Sequence, residues 1–237
     1  SSMANCGISD FAIVVRENYH SLMDHLGSGR EWDLLRKNGG LSIFPPYAEK
    51  NMKVYSGRVQ ALESILPFLK NKKEKYVIMT DANIAVDFDF GAMLQEHIES
   101  GADVSIAYTE QEIPEELIRA GVHEDMYYTL CLEDGRVRRI FMNSEEPGIQ
   151  NLSMNIYIME RESLIEKIHG AFVRGYSYFE RDILAPRLEK YNIRGYKYDG
   201  YYARICGLKS YFDENMKLLD DENLDALFTG GQIYTKI

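Results

Sequence analysis

An aspartate at the carboxyl end of a buried strand is a residue type and place from which α/β proteins hold a metal ion against phosphates. The stretch Thr80-Asp81-Ala82-Asn83 answers that description, since it follows the apolar run Tyr76-Val77-Ile78-Met79 behind the basic segment Lys70 to Lys75. In open parallel sheets ligands gather outside such strand ends. Asp81, aided by Asp87 or Asp89, supplies the hard oxygens that Mg²⁺ prefers. The same residues equally suit a turn at Asp81 and a helix cap at Asp89, and spacing alone does not choose between the two readings.

Other candidates carry less. Leu26-Gly27-Ser28-Gly29-Arg30 places glycines beside a cation and could present backbone N–H groups to an anion. No strand immediately precedes it, however, and neither GxxxxGK[ST] nor GxGxxG occurs, so a loop ending a helix is the competing account. The five histidines (His20, His25, His97, His123, His169) form no HExxH motif. His20 and His25 do not share a helix face, and His97 suits a helix C-terminus. No G-x-S-x-G elbow marks a nucleophilic serine. Seventeen tyrosines, crowded at Tyr176, Tyr178, Tyr191, Tyr196, Tyr198, Tyr201 and Tyr202, could stack a base or a sugar or could simply pack strands against helices. The acidic string from Asp213-Glu214 to Asp220-Asp221-Glu222 reads as a solvated helix face.

Composition bounds what these residues serve. The chain of 237 residues carries 27 Lys and Arg against 37 Asp and Glu, a formal net charge of −10. So acidic a surface repels phosphate backbones and excludes a general nucleic-acid binder. The longest apolar runs, such as Phe11 to Val15, are far too short to span a bilayer, and no signal-peptide pattern opens the chain. Three cysteines (Cys6, Cys131, Cys206) without CxxC spacing suit free thiols in a reducing cytoplasm.

The elements that must position the chemistry alternate. Strands are expected at Phe11–Val15, Leu41–Phe44, Tyr76–Thr80 and Val104–Tyr108. Helices are expected at Glu17–Leu26, from Gly57 with a break at Pro67, and at Phe90–Glu99 between the Asp89 cap and Gly101. Such alternation implies a parallel sheet with helices on both faces. The second half predicts a hairpin over Tyr127–Phe141 turning at Glu133-Asp134-Gly135, a strand Leu152–Met159 and a helix Glu162–His169. A helix Phe179–Tyr191 containing Pro186, two strands near Gly195–Tyr198 and Tyr202–Cys206, and a helix Lys209–Leu219 complete it. The expected class is α/β, a mixed and mostly parallel sheet in a single domain over 1–237. A strand so soon after Ser1-Ser2-Met3, and an abrupt stop at Ile237, read as a piece of a longer protein.

Several phrases together resemble the glucose-1-phosphate adenylyltransferase (ADP-glucose pyrophosphorylase) family of bacterial glycogen synthesis. They are Asn5-Cys6-Gly7-Ile8, Tyr19-His20-Ser21-Leu22 with His25 to Trp32, Tyr55-Ser56-Gly57, Asp89-Phe90 with Met93-Leu94 and His97, Ser153-Met154-Asn155-Ile156-Tyr157, and Tyr211-Phe212 with Asn215. The phrase His25-Leu26-Gly27-Ser28-Gly29-Arg30-Glu31-Trp32-Asp33 is similar to the noncatalytic, GlgD-type branch. The resemblance implies a Rossmann-like nucleotidyltransferase domain whose active members join ATP and glucose 1-phosphate with Mg²⁺ held by two aspartates. It also implies that the family's glycine-rich nucleotide loop would lie before Ser1 and its left-handed β-helix after Ile237.

The departures from that pattern matter most. Aligned on Asp89-Phe90, Asn83 falls where the resemblance places the first metal aspartate. Counted back from Tyr211, Arg204 falls at the second. Ser144 takes the place of the phosphate-binding lysine, and Gly57-Arg58-Val59-Gln60-Ala61 replaces a Gly-Thr-Ala-Asp-Ala phrase. A neutral asparagine and a cation cannot neutralise phosphates as two carboxylates do. The expectation is a regulatory subunit of glucose-1-phosphate adenylyltransferase with no catalytic residue and no cofactor, assembling in the cytoplasm with a catalytic homologue and stimulating it. Its vestigial ligand cleft, for a nucleotide or sugar phosphate, would comprise Gly57, Arg58, Gln60, Asp81, Asn83, Ser144, Ser153, Asn155 and Tyr157. The alternatives are an active sugar nucleotidyltransferase in which Asp81 takes Mg²⁺, and an interaction module without a small ligand.

Overall fold

The structure is a computed structural model and describes residues 1–15, 19–35, 39–45, 57–121 and 126–228. The start of the expected first helix, Tyr55-Ser56, His123 and the stop at Ile237 lie outside the described residues.

The chain opens with a short helix α1 (Ser2–Asn5), then strand β1 (Asp10–Val14), helix α2 (Tyr19–Leu26) and strand β2 (Gly40–Phe44). β1 and β2 form a parallel pair, Phe11 opposite Leu41 and Ile13 opposite Ile43. Between them the glycines serve the turn. Gly27 (φ 53°) and Gly29 (φ 74°) take the left-handed backbone, and their N–H groups donate to the carbonyls of Met23 and Leu26. Those amides end the helix and are not offered to an anion.

Helix α3 (Arg58–Ser64) gives way to α4 (Leu66–Lys70) at Pro67, which sits in the first turn of α4 where a missing N–H breaks no helical bond. Strand β3 (Tyr76–Met79), the three-residue strand β4 (Ile84–Val86) and helix α5 (Phe90–Glu99) follow, and Asp89 caps α5 by accepting from the Ala92 N–H at 2.9 Å. His97 is buried and shares a 2.8 Å hydrogen bond with Ser105 Oγ. Burial lowers its pKa, so it packs as a neutral ring and does not charge the helix end.

After β5 (Val104–Glu112) and α6 (Glu115–Gly121), the hairpin β6 (Tyr128–Glu133) and β7 (Arg136–Met142) turns at Asp134-Gly135, both left-handed. Strand β8 (Ile149–Glu160) and helix α7 (Arg161–Val173) precede a segment expected to be one α-helix. It forms instead a π-helical turn, Phe179–Leu184, and a 3₁₀ turn, Ala185–Arg187. Pro186 cannot continue an α-helix, and the wider turn carries Phe179, Glu180, Ile183 and Leu184 all inward. The chain ends in β9 (Ile193–Lys197), β10 (Tyr202–Arg204), α8 (Leu208–Lys217) and α9 (Asp221–Phe228).

The main sheet runs β3-β8-β5-β9-β7-β6. It is mixed, as expected, but β5–β9 is its parallel ladder, while β3–β8, β5–β8, β6–β7, β6–β8 and β7–β9 are antiparallel. The alternation of the first half therefore misleads about pairing. β3 and β5 run the same way, and β8, from the second half, inserts antiparallel between them. Helices cover both faces, and β8 sorts its side chains accordingly. Tyr157 and Met159 join Val59, Leu62, Leu164 and Ile168 of α3 and α7. Met154, Ile156 and Ile158 join Phe90 and Met93 of α5. β10 pairs with β4 in a separate antiparallel ladder, Arg204 opposite Ile84.

Two irregularities aim side chains at one place. Gly57 lies against the backbone of Ser177, whose oxygen would stand 2.3 Å from any Cβ added there and accepts from the Val59 N–H at 3.1 Å. This close approach joins the start of α3 to the π-helical turn. In β8, Ala107 alone opposes Met154, Asn155 and Ile156, between the pairs Ile106–Tyr157 and Tyr108–Ser153. Asn155 sits in this bulge at φ 56°, a conformation asparagine tolerates better than most. Replacing Asn155 by Gly should keep the backbone at ease, whereas Asn155→Ala should be about 1 kcal/mol less stable than Asn155→Gly. Urea unfolding of the two variants measures that difference.

Candidate functional site

Beyond the carboxyl end of β3 five elements converge. Arg58 comes from the first turn of α3, Asp81 follows β3, Asn155 and Tyr157 come from β8, Glu180 from the π-helical turn, and Arg204 ends β10. Arg58 binds Asp81 Oδ1 through Nη2 at 2.6 Å and Glu180 Oε1 through Nη1, with its guanidinium 5.1 Å above the Tyr157 ring. Asp81 Oδ2 accepts from Asn155 Nδ2 at 2.7 Å, and Arg204 Nη2 stands 3.8 Å from the same oxygen. Glu180 also accepts from the Tyr157 hydroxyl at 2.6 Å. Tyr157 lies 3.2 Å from Asn155 Oδ1, and the Asn155 N–H donates to Ser153 Oγ at 3.2 Å.

The cluster is mostly dry. Glu180 is 3% exposed, Asn155 2% and Tyr157 0%. Removing charges from water is costly unless partners replace the water, and each protonation state follows from that balance. Burial pushes the Asp81 carboxyl up, but Arg58, the Asn155 amide and Arg204 outweigh it and hold it below its ordinary value. Burial would weaken the Arg58 cation, yet Glu180 and Asp81 raise it well above its usual value. Burial and the neighbouring Glu180 keep the Tyr157 phenol protonated, so it acts as a donor.

Of the residues singled out in the sequence, Arg58, Asp81, Ser153, Asn155, Tyr157 and Arg204 thus meet, and Gly57 supplies the close approach behind Arg58. Asn83 adjoins them. Its Nδ2 donates to the Ile205 carbonyl at 3.0 Å and its carbonyl accepts from the Ile205 N–H at 2.8 Å, which extends the β4–β10 ladder and sets position 83 opposite 205, the residue after Arg204. Gln60 is half-buried one step further along α3. Ser144 stands apart on the loop after β7, where its carbonyl accepts from the Tyr127 hydroxyl at 2.8 Å. The tyrosines divide: Tyr196, Tyr198 and Tyr202 pack on the cluster around Phe88 and Phe90, and the Tyr201 hydroxyl donates to Glu214 at 2.7 Å.

Sequence reading missed Glu180. Its signal is an acid inside an otherwise inward-facing group, one residue after Phe179 and four before Leu184, where helical spacing puts it on the buried side. A buried carboxylate at such a position requires a cation, and π-helical turns recur at functional places.

Because the folded cluster depresses Asp81, its contribution to stability is complete above the ordinary aspartate value of about 4 and is lost as pH falls through the lowered one. Asp81→Asn should therefore destabilise the protein at pH 7. The gap between variant and wild type should narrow on acidification to about pH 3, read by urea unfolding at each pH.

The fold and this cluster stand beside known proteins as follows. The sequence pattern of the nucleotidyl transferase family matches residues 1–220. The glucose-1-phosphate adenylyltransferase of Clostridium novyi (strain NT) is 29% identical over 240 aligned positions, covering 99% of this chain and 61% of the relative. Those of Thermomicrobium roseum and Bacillus subtilis (strain 168) are each 30% identical, covering 94% and 96% of this chain and 51% and 59% of the relative. The chain therefore spans between about half and three-fifths of these relatives' length. A Bacillus anthracis protein described as a glucose-1-phosphate thymidylyltransferase, solved in complex with a sucrose, superposes with a TM-score of 0.65 at 13% identity, covering 92% of this chain and 80% of that one. That likeness concerns the fold alone. On the match across residues 1–220, this chain belongs to the nucleotidyl transferase family.

Proposed function

We propose that this chain is the nucleotidyltransferase-like part of a regulatory, catalytically degenerate subunit of glucose-1-phosphate adenylyltransferase. In this reading it acts in glycogen synthesis in the cytoplasm, assembling with a catalytic homologue and raising its activity. One observation carries the proposal: the carboxylate beyond β3 is already neutralised by the protein's own arginines. Asp81 Oδ1 is taken by Arg58 and Oδ2 by Asn155, with Arg204 close by.

The residues at this place do not fit a divalent cation. Mg²⁺ needs unengaged hard oxygens in octahedral arrangement, whereas Asp81 has none free of a hydrogen bond, Asn83 offers a neutral amide tied to Ile205, and Arg204 brings a like charge. Among the described residues no three His, Cys, Asp or Glu side chains gather as a metal's donors. The relatives named glucose-1-phosphate adenylyltransferase support the choice of partner and pathway. Among the described residues no helix is long and apolar enough to cross a membrane, and the net charge of −10 disfavours nucleic acid. A nucleotide or sugar phosphate entering the cleft would meet Arg58 and Arg204 and compete with Asp81 for them.

The test is ADP-glucose formation from ATP and glucose 1-phosphate with Mg²⁺, using the full-length protein alone and then mixed with the catalytic homologue of the same cell. The expected result is silence alone and stimulation in the mixture. Turnover alone would instead favour an active enzyme, and no effect in either arm together with no heat of nucleotide or sugar-phosphate binding would favour a plain interaction module. In calorimetric titration with Mg²⁺, Asn83→Asp combined with Arg204→Asp should show measurable binding that the wild type lacks.

A further inference from the structure

We draw no further inference here: the strongest candidate, the surface patch of α8 and α9 on which Leu208, Tyr211, Phe212, Met216, Leu224 and Phe228 stand exposed, is an unpartnered apolar face, and nothing in the structure shows what covers it.

Discussion

One cation between two carboxylates organises this molecule. Arg58 leaves the first turn of α3 and reaches Asp81 beyond β3 and Glu180 in the π-helical turn, lying over the Tyr157 ring on the way. Each partner would be untenable alone at its depth, since an unpaired buried ion costs several kcal/mol. Pairing turns that cost into a constraint: three segments must sit where their charges meet. Glu180 requires the π-helical turn to face inward, and Gly57 permits this by letting the Ser177 backbone press against the start of α3. Asn155 is held left-handed in a strand so that its amide can complete Asp81.

Strand β8 transmits that constraint to the rest of the fold. It pairs with β3, β5 and β6, and it alternates its side chains between the helices on the two faces of the sheet. A bulge in so central a strand disturbs both hydrophobic clusters unless every neighbour is fitted to it. The polar cluster and the apolar core are thus parts of one packing problem. The carboxylates of Asp81 and Glu180 are both engaged by the scaffold itself, through Arg58, the Asn155 amide and the Tyr157 hydroxyl.

Much of this was legible in the residues. Asp89 as a cap, Gly101 as a stop and Pro67 as a break act through local backbone chemistry, and each did so in the structure. Asp81 stood out because a carboxylate after an apolar strand is an unusual juxtaposition, and Asn83 and Arg204, far apart in the chain, lie one register step apart, Arg204 opposite Ile84 and Asn83 bonded to Ile205. The pairing direction of β8 was not legible, because a strand's own pattern records burial and not the partner's orientation. The strand Ile84–Val86 was too short to declare itself. Glu180 was hidden because its surroundings read as an ordinary amphipathic helix, and the partner that makes its burial tolerable lies 122 residues away.

That separation has a temporal meaning. Arg58 and Asp81 are 23 residues apart, Asp81 and Asn155 are 74 apart, and Arg58 and Glu180 are 122 apart. Contacts so distant in sequence demand loop closure before they yield anything, which slows folding. During synthesis the first pair can meet as soon as both residues have emerged. The central strand that fixes their geometry follows later, and the second carboxylate later still. Nor is Glu180 the closing piece, since β9, which lies between β5 and β7, and Arg204 beside Asp81 both follow it in the chain. A chain interrupted before Glu180 would carry an arginine with half its carboxylate partners and a sheet with a gap where β9 belongs.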